Sequence, residues 1–233
     1  MQIVTERALP DGVAEMGRME HMGHEGVPSW NVLLIGGPSG VGKSTVAASL
    51  ARQLGIFWIQ VDDLRLALQF SGLVARERHP ELFSFLQPED WQGTPEEYRD
   101  RLIAVGRVIV GALRIVVESH IHHDADAIVI EGDGILPGFA ASVAEAFGSE
   151  VVRAVFIVAH DAEVLLANML RRGRGIEQIG PEERQTEARG KALFSRWIEQ
   201  EAAARDMPVL APTPWASLTE RIASSIAAPP RGR

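Results

Sequence analysis

The chain has 233 residues, 46% hydrophobic and 23% charged, which suits one α/β domain with a sizeable core and excludes wholesale disorder. A formal net charge of -8 and a pI near 5.4 argue against nucleic acid as the main partner, because binding a phosphate backbone depends on Lys and Arg displacing counterions. With no cysteine, a disulfide framework, a thiol nucleophile and a thiolate metal site are all excluded.

Residues 1–29 carry charges, glycines and scattered Met and His without helix or strand periodicity, and are expected to form a flexible arm. They lack the continuous apolar core of a signal peptide, and no stretch of the chain reaches the roughly 18 apolar residues of a membrane helix. The expectation is a soluble, cytoplasmic protein, monomer or homodimer, whose partner is a small molecule and neither nucleic acid nor membrane.

From Trp30 the texture changes, and a folded domain is expected over 30–228. The runs WNVLLIG, IFWIQV, AIVIEG, VVRAVFIV and MPVLA predict five strands, apolar enough to be buried on both faces of a parallel sheet. The segments between them are long enough for right-handed helical crossovers, which predicts a three-layer α/β/α sandwich. Thr94 as N-cap and Pro95 at the first helical position predict a helix reaching about His120. Residues 71–93, rich in Pro, His and Trp, interrupt the alternation and are expected to be an insertion covering a substrate.

Gly37, Pro38, Ser39, Gly40, Val41, Gly42, Lys43 and Ser44 match the phosphate-loop pattern G-x-x-x-x-G-K-[ST], between a predicted strand and a predicted helix. Glycines allow positive φ and bring backbone N–H groups toward phosphate oxygens, and the helix N-terminus adds its positive end. Lys43 is placed for the β- and γ-phosphates, and Ser44, with Thr45 as second candidate, for Mg2+.

Asp62 and Asp63 follow the second strand, where ligands of a parallel sheet gather. Asp62 is the candidate base for an acceptor hydroxyl, Asp63 a cap or support, and Arg65, one turn on, a clamp for an anionic substrate. Glu131 leaves the third strand as a candidate metal ligand, commonly through water, and Asp133, flanked by glycines, is either a second metal or substrate contact or a turn residue.

Arg171, Arg172 and Arg174 end the helix after the fourth strand, ahead of a polar stretch with few apolar anchors. Residues 171–190 are expected to form a mobile lid whose arginines, Arg172 and Arg174 in the first place, neutralise a transferring phosphoryl group. His120, His122 and His123 fall where the long helix should end, a favourable place for cations and a better reading than a zinc site. The five Trp residues are read as packing, with Trp91 in the insertion as the candidate exception.

GGPSGVGKST, the VDDLR segment, IEGDGILPG and the arginine-bearing helix, in that order, resemble small-molecule P-loop kinases, particularly the kinase core of 2-phosphoglycerate kinase, over residues 31–227. More distantly they are similar to chloramphenicol phosphotransferase and zeta-type toxin kinases. The resemblance matches Asp62 and Arg65 to an Asp-x-x-Arg after the second strand, and Glu131-Gly132 with Pro137-Gly138 to an acid-Gly segment leading to Pro-Gly. It implies a five-stranded sheet in the order 2-3-1-4-5 of the nucleoside-monophosphate-kinase type, ATP and Mg2+ as cofactors, and transfer of the γ-phosphate to a hydroxyl of a small acceptor. A nucleotide-dependent regulatory module and a nucleoside, nucleotide or antibiotic kinase are the competing readings. Residues 71–93 match no substrate signature.

Overall fold

The computed structural model describes residues 28–123, 126–173 and 179–227. Most of the expected arm therefore lies outside the described residues, as does Arg174.

Five strands form one parallel sheet: β1 (Val32–Gly36), β2 (Phe57–Gln60), β3 (Ile128–Gly132), β4 (Val152–Ile157) and β5 (Val209–Leu210), in the order β2-β3-β1-β4-β5. The helices are α1 (Lys43–Leu54), α2 (Val61–Phe70), α3 (Pro95–His122), α4 (Pro137–Phe147), α5 (Ala162–Arg172), α6 (Pro181–Ala203) and α7 (Leu218–Ala227). This is the expected fold class, helices on both faces of a 2-3-1-4-5 sheet. None of the described helices is long and apolar enough to cross a membrane.

Strand geometry explains the two cores. Successive side chains point to opposite faces, so Val32 and Leu34 of β1 join one apolar cluster with residues of α3, α4 and α6, while Leu33 and Ile35 join another with residues of α1 and α7. All five β1 residues are buried, as expected of a central parallel strand. The prediction of burial on both faces fails at β2, where Phe57 is 73% exposed. That strand stands at the edge of the sheet; Ile59 packs on one core and Trp58 on the other, each only partly buried, and Phe57 at the strand start is left uncovered.

β1 and β3 run in register, with Ile35 beside Glu131 and Gly36 beside Gly132. Both strands thus end at the same level, and the loops that follow them emerge side by side. α3 starts as its sequence dictates: Thr94 accepts from the Glu97 N–H, and the Glu97 carboxylate accepts from the Thr94 N–H at 2.8 Å, two orphan donors satisfied reciprocally. The helix runs to His122, two residues past the expected end. His120 and His122 lie in its last turn with His123 as C-cap, where cations complement the helix dipole.

Two segments carry regular structure of their own. The polar stretch read as part of a mobile lid is helical from Pro181 onward, because Glu187, Lys191, Phe194, Ile198 and Ala202, one helical turn apart, form a buried face. The insertion contains two short 3-10 turns, Pro80–Phe83 and Pro88–Trp91. Its Phe85 ring lies 4.9 Å from that of Tyr98 on α3 and 6.1 Å from that of Trp91, so Trp91 is a packing residue here.

Candidate active site

The phosphate loop leaves β1 at Gly36 and enters α1 at Lys43. Gly37, Gly40 and Gly42 all have positive φ, a conformation costly for any residue with a Cβ. At Gly37 sterics exclude a side chain as well, since a Cβ would run into the Ile157 carbonyl oxygen. Gly37→Ala is accordingly expected to destabilise the fold by about 2–4 kcal/mol, read as a lower urea midpoint; an unchanged midpoint would show that the loop adopts another path. α1 has no side-chain cap at Gly42, so its first N–H groups remain directed along the helix axis toward the loop.

Lys43 is 7% exposed, and its ammonium donates to the Pro38 carbonyl at 2.9 Å. Ser44 follows on the first turn, its hydroxyl paired with the carboxyl of Glu131, which is itself 3% exposed at the end of β3. Ser39, at the loop tip, donates to Asp133 Oδ2 at 3.2 Å. Thr45 is exposed on α1, away from these groups.

The second strand does not end in the two aspartates as expected. Helix α2 begins at Val61, directly after β2, with Gln60 as N-cap and no side-chain cap. Asp62 and Asp63 therefore occupy the first helical turn, where a carboxylate favours the dipole. Asp63 points outward and is exposed, and the capping role expected of it falls to no side chain. Asp62 turns inward and pairs with Arg65, one turn on, at 3.2 Å.

Glycine at position 132 brings the two acidic segments together. A Cβ there would lie 2.5 Å from the Cβ of Val61, so only glycine lets the end of β3 approach the start of α2 this closely. Asp133 and Asp62 consequently share one site. A phosphate-side pocket is lined by Ser39, Lys43, Ser44, Gln60, Asp62, Glu131, Gly132, Asp133 and Arg172. A neighbouring pocket is lined by the apolar Val61, Leu102, Val105 and Ile109 with Arg65 and Gly134. Asp62 and Asp133 line both. Arg171 is exposed at the end of α5 and does not line either cavity.

The electrostatics separate the three acids. The charge of Asp133, then burial, raises the proton affinity of Asp62 against the opposing pull of Arg65, Lys43 and Arg172. Burial alone would raise Asp133, yet Lys43, Arg65, Lys191 and the Ser39 hydroxyl together hold its carboxyl below the ordinary range. Burial raises Glu131, against Lys43 and its hydrogen bond with Ser44. Asp133 is thus the fixed anion and Asp62 the carboxylate with raised basicity, the property wanted of a general base.

A pH test follows. If Asp62 serves as a general base, its protonation should lower activity as pH drops through its raised pKa. Asp133→Asn removes the largest raising influence, and the acid limb of kcat/KM should move to lower pH. An acid limb that stays in place would assign it to another group.

Gln60, Glu187, Lys191 and Tyr98 were not singled out by their sequence. Glu187 and Lys191 resemble a solvated i,i+4 pair; the signal against that reading is their spacing from Phe194, Ile198 and Ala202, which puts them on the apolar face of α6. Tyr98 carries a hydroxyl bonded to Glu187, and burial, then the charge of Glu187, pushes its pKa well up.

The family described as "AAA domain" matches residues 32–107, from β1 into α3. The 2-phosphoglycerate kinase of Pyrococcus horikoshii is 34% identical over 116 residues, which cover 46% of this chain and 36% of that protein. That of Methanothermobacter thermautotrophicus is 34% identical over 114 residues, 46% and 37% of the two chains. For that of Pyrococcus furiosus the figures are 33% over 151 residues, 61% and 46%. The match thus takes in less than half the length of each of these relatives. Among solved structures, a gluconokinase from Sinorhizobium meliloti has a TM-score of 0.47 at 14% identity, with 86% of this chain and 93% of that one covered. A shikimate kinase from Acinetobacter baumannii, in complex with shikimate, has a TM-score of 0.45 at 18% identity, with 86% and 97% covered. The resemblance to 2-phosphoglycerate kinases expected from the phosphate loop and the acidic segments is borne out.

Proposed function

We propose that the chain is an ATP-dependent phosphotransferase that moves the γ-phosphoryl group of ATP to a hydroxyl of a small anionic acceptor, 2-phosphoglycerate or a compound like it. The observation that carries this reading is the sharing of Asp62 and Asp133 between the phosphate-side cavity and the Arg65-bearing cavity with the apolar floor. A nucleotide switch needs the first cavity alone. A transferase needs two sites that meet at a base, and the meeting point here is a carboxylate of raised basicity.

In this reading the loop N–H groups and Lys43 hold the phosphates, while Arg65 holds the acceptor's anionic group. Asp62 takes the proton of the acceptor hydroxyl as that oxygen bonds to the γ-phosphorus. The bond from the γ-phosphorus to the β,γ-bridging oxygen breaks, and ADP leaves. Arg172, on the wall of the phosphate-side cavity, faces the charge that spreads over the phosphoryl oxygens.

The residues present fit Mg2+. The Ser44 hydroxyl and the desolvated Glu131 carboxyl lie together beside the phosphate loop, and these would hold the ion, Glu131 through water. No group of three or more His, Asp or Glu side chains among the described residues forms a metal cage, so phosphate oxygens and water would supply the remaining ligands. The ion, when bound, would supply positive charge to offset that of the phosphates.

Acceptor-stimulated ADP release tests this function. With 2-phosphoglycerate, glycerate and sugar acids offered separately, one of them should raise ADP release at least about tenfold over hydrolysis by water, as positioning of an acceptor demands. Release indifferent to every acceptor would contradict the proposal and favour a nucleotide-dependent module.

A further inference from the structure

The lining of the phosphate-side pocket is polar apart from Gly132, which suits phosphates and leaves the nucleoside end of a donor to be held outside it. A large aromatic side chain stands beside the phosphate loop and open to solvent. Trp215 is 44% exposed, and its six-membered ring abuts Gly42: a Cβ on that glycine would run into Cζ3, with Cη2 at 3.2 Å and Cε3 at 3.3 Å. Gly42 is the N-cap of α1, the end where the helix dipole and free N–H groups favour phosphate. Thr45, one turn on from Gly42, is exposed, so this rim has room for the rest of a nucleotide.

The backbone that carries Trp215 is fixed from behind. Trp215 opens a 3-10 turn, Trp215–Ser217, ahead of α7. Leu218, Ile222 and Ile226 of α7 are buried in the same core cluster as Val41 of the phosphate loop and Val46 of α1, which ties the turn to the loop. Arg221 donates to the carbonyls of Ala211 at 2.8 Å, Pro212 at 3.3 Å and Pro214 at 3.2 Å, and the Ser217 hydroxyl donates to the Pro214 carbonyl at 3.3 Å. A tryptophan that serves packing alone is covered, as Trp30 is at 7% exposed. Trp215 instead has a braced backbone and a partly open ring, and ordering a contact surface before its ligand arrives lowers the entropy lost on binding.

We propose that Trp215 is the platform on which the donor's nucleobase stacks, and that the base is held by its face and not read at its edge, so that GTP serves about as well as ATP; the role rests on the phosphotransferase reading. Stacking tolerates base identity because every base has a π-face. Adenine and guanine differ at the edge, an N6 amine against an O6 carbonyl, and telling them apart takes hydrogen-bond partners placed for one of them. The turn beside the ring is poorly supplied with such partners. Pro212 and Pro214 have no N–H, and the carbonyls of Ala211, Pro212 and Pro214 are already turned to Arg221.

The test is calorimetric binding of three probes to the full chain with magnesium: non-hydrolysable analogues of ATP and of GTP, and inorganic tripolyphosphate. In wild type the two analogues should bind with Kd values within about tenfold of each other, and each at least about tenfold more tightly than tripolyphosphate. Trp215→Ala should weaken both analogues about five- to a hundredfold, the span measured for loss of one base–aromatic stack, while tripolyphosphate stays within about twofold. Trp215→Phe should keep most of the analogue affinity. Melting temperatures of the variants separate loss of binding from loss of fold. Unchanged analogue affinity in folded Trp215→Ala overturns the platform, and so does an equal loss of tripolyphosphate, which would show that the ring only shapes the loop. A preference for one analogue beyond about tenfold overturns the indifference to the base. Failure of wild type to bind any of the three probes overturns the phosphotransferase reading, and this role with it.

Discussion

Asp62→Asn is expected to lower phosphoryl transfer about 10²- to 10⁴-fold, the usual contribution of a positioned general base, while MgATP affinity changes by no more than about twofold. The asparagine is isosteric, and its amide oxygen still accepts from Arg65, so the 3.2 Å contact with that guanidinium has a neutral replacement. What disappears is the group proposed to accept the hydroxyl proton. Asp63, the next residue on the same turn, is exposed, and Asp63→Asn should leave both quantities near wild type. Single-turnover transfer together with titration of MgATP measures the pair. Near-normal transfer by Asp62→Asn would remove that carboxylate from the chemistry, and Asp133 would be the next group to examine.

Lys43→Ala should have the other large effect, and of a different kind. Its ammonium is buried at the loop, bonded to the Pro38 carbonyl, and its charge lowers the proton affinity of Asp62, Glu131 and Asp133. In the proposed reading, removing it takes away a contact to the β- and γ-phosphates that would strengthen as charge develops on the transferring group. Transfer should fall about 10²- to 10³-fold or more, with MgATP affinity down about tenfold. The same substitution leaves three carboxylates with less opposing charge, so the acid limb of any residual activity should move to higher pH, opposite in sign to Asp133→Asn. Lys43→Arg keeps the charge but not the shape, and at a site 7% exposed it should rescue little.

Much of the fold was legible because its central strands are short apolar runs ended by glycine: VLLIG and IVIEG are buried throughout, and such runs belong to a covered parallel sheet. The sheet order came from the likeness to P-loop kinases and is the observed order. IFWIQV was harder, since no turn or cap residue separates β2 from α2 and Val61 continues an apolar run while already helical. Nothing local announces that change of period. Residues 181–190 read as polar because their charges mask a buried helical face that becomes clear only when α6 is followed to Ala202. At Asp133 the flanking glycines suggested a turn. Asp133 and Gly134 do form a turn; Gly132 is in addition required by packing against Val61, and that contact, unknowable without the tertiary structure, brings Asp133 to Asp62. Arg174 lies outside the described residues, so Arg172 alone of the two expected lid cations has an observed place, on the wall of the phosphate-side cavity.

The most direct test of the account is transfer of label from γ-labelled ATP, with magnesium, to separate pools of phosphoglycerates, sugar acids, aminoglycoside and phenicol antibiotics, and nucleosides, with Lys43→Ala as the blank. The account predicts label in an anionic hydroxy-compound, with 2-phosphoglycerate the first to try, and none in the blank. Tight MgATP binding with no label in any pool would contradict it.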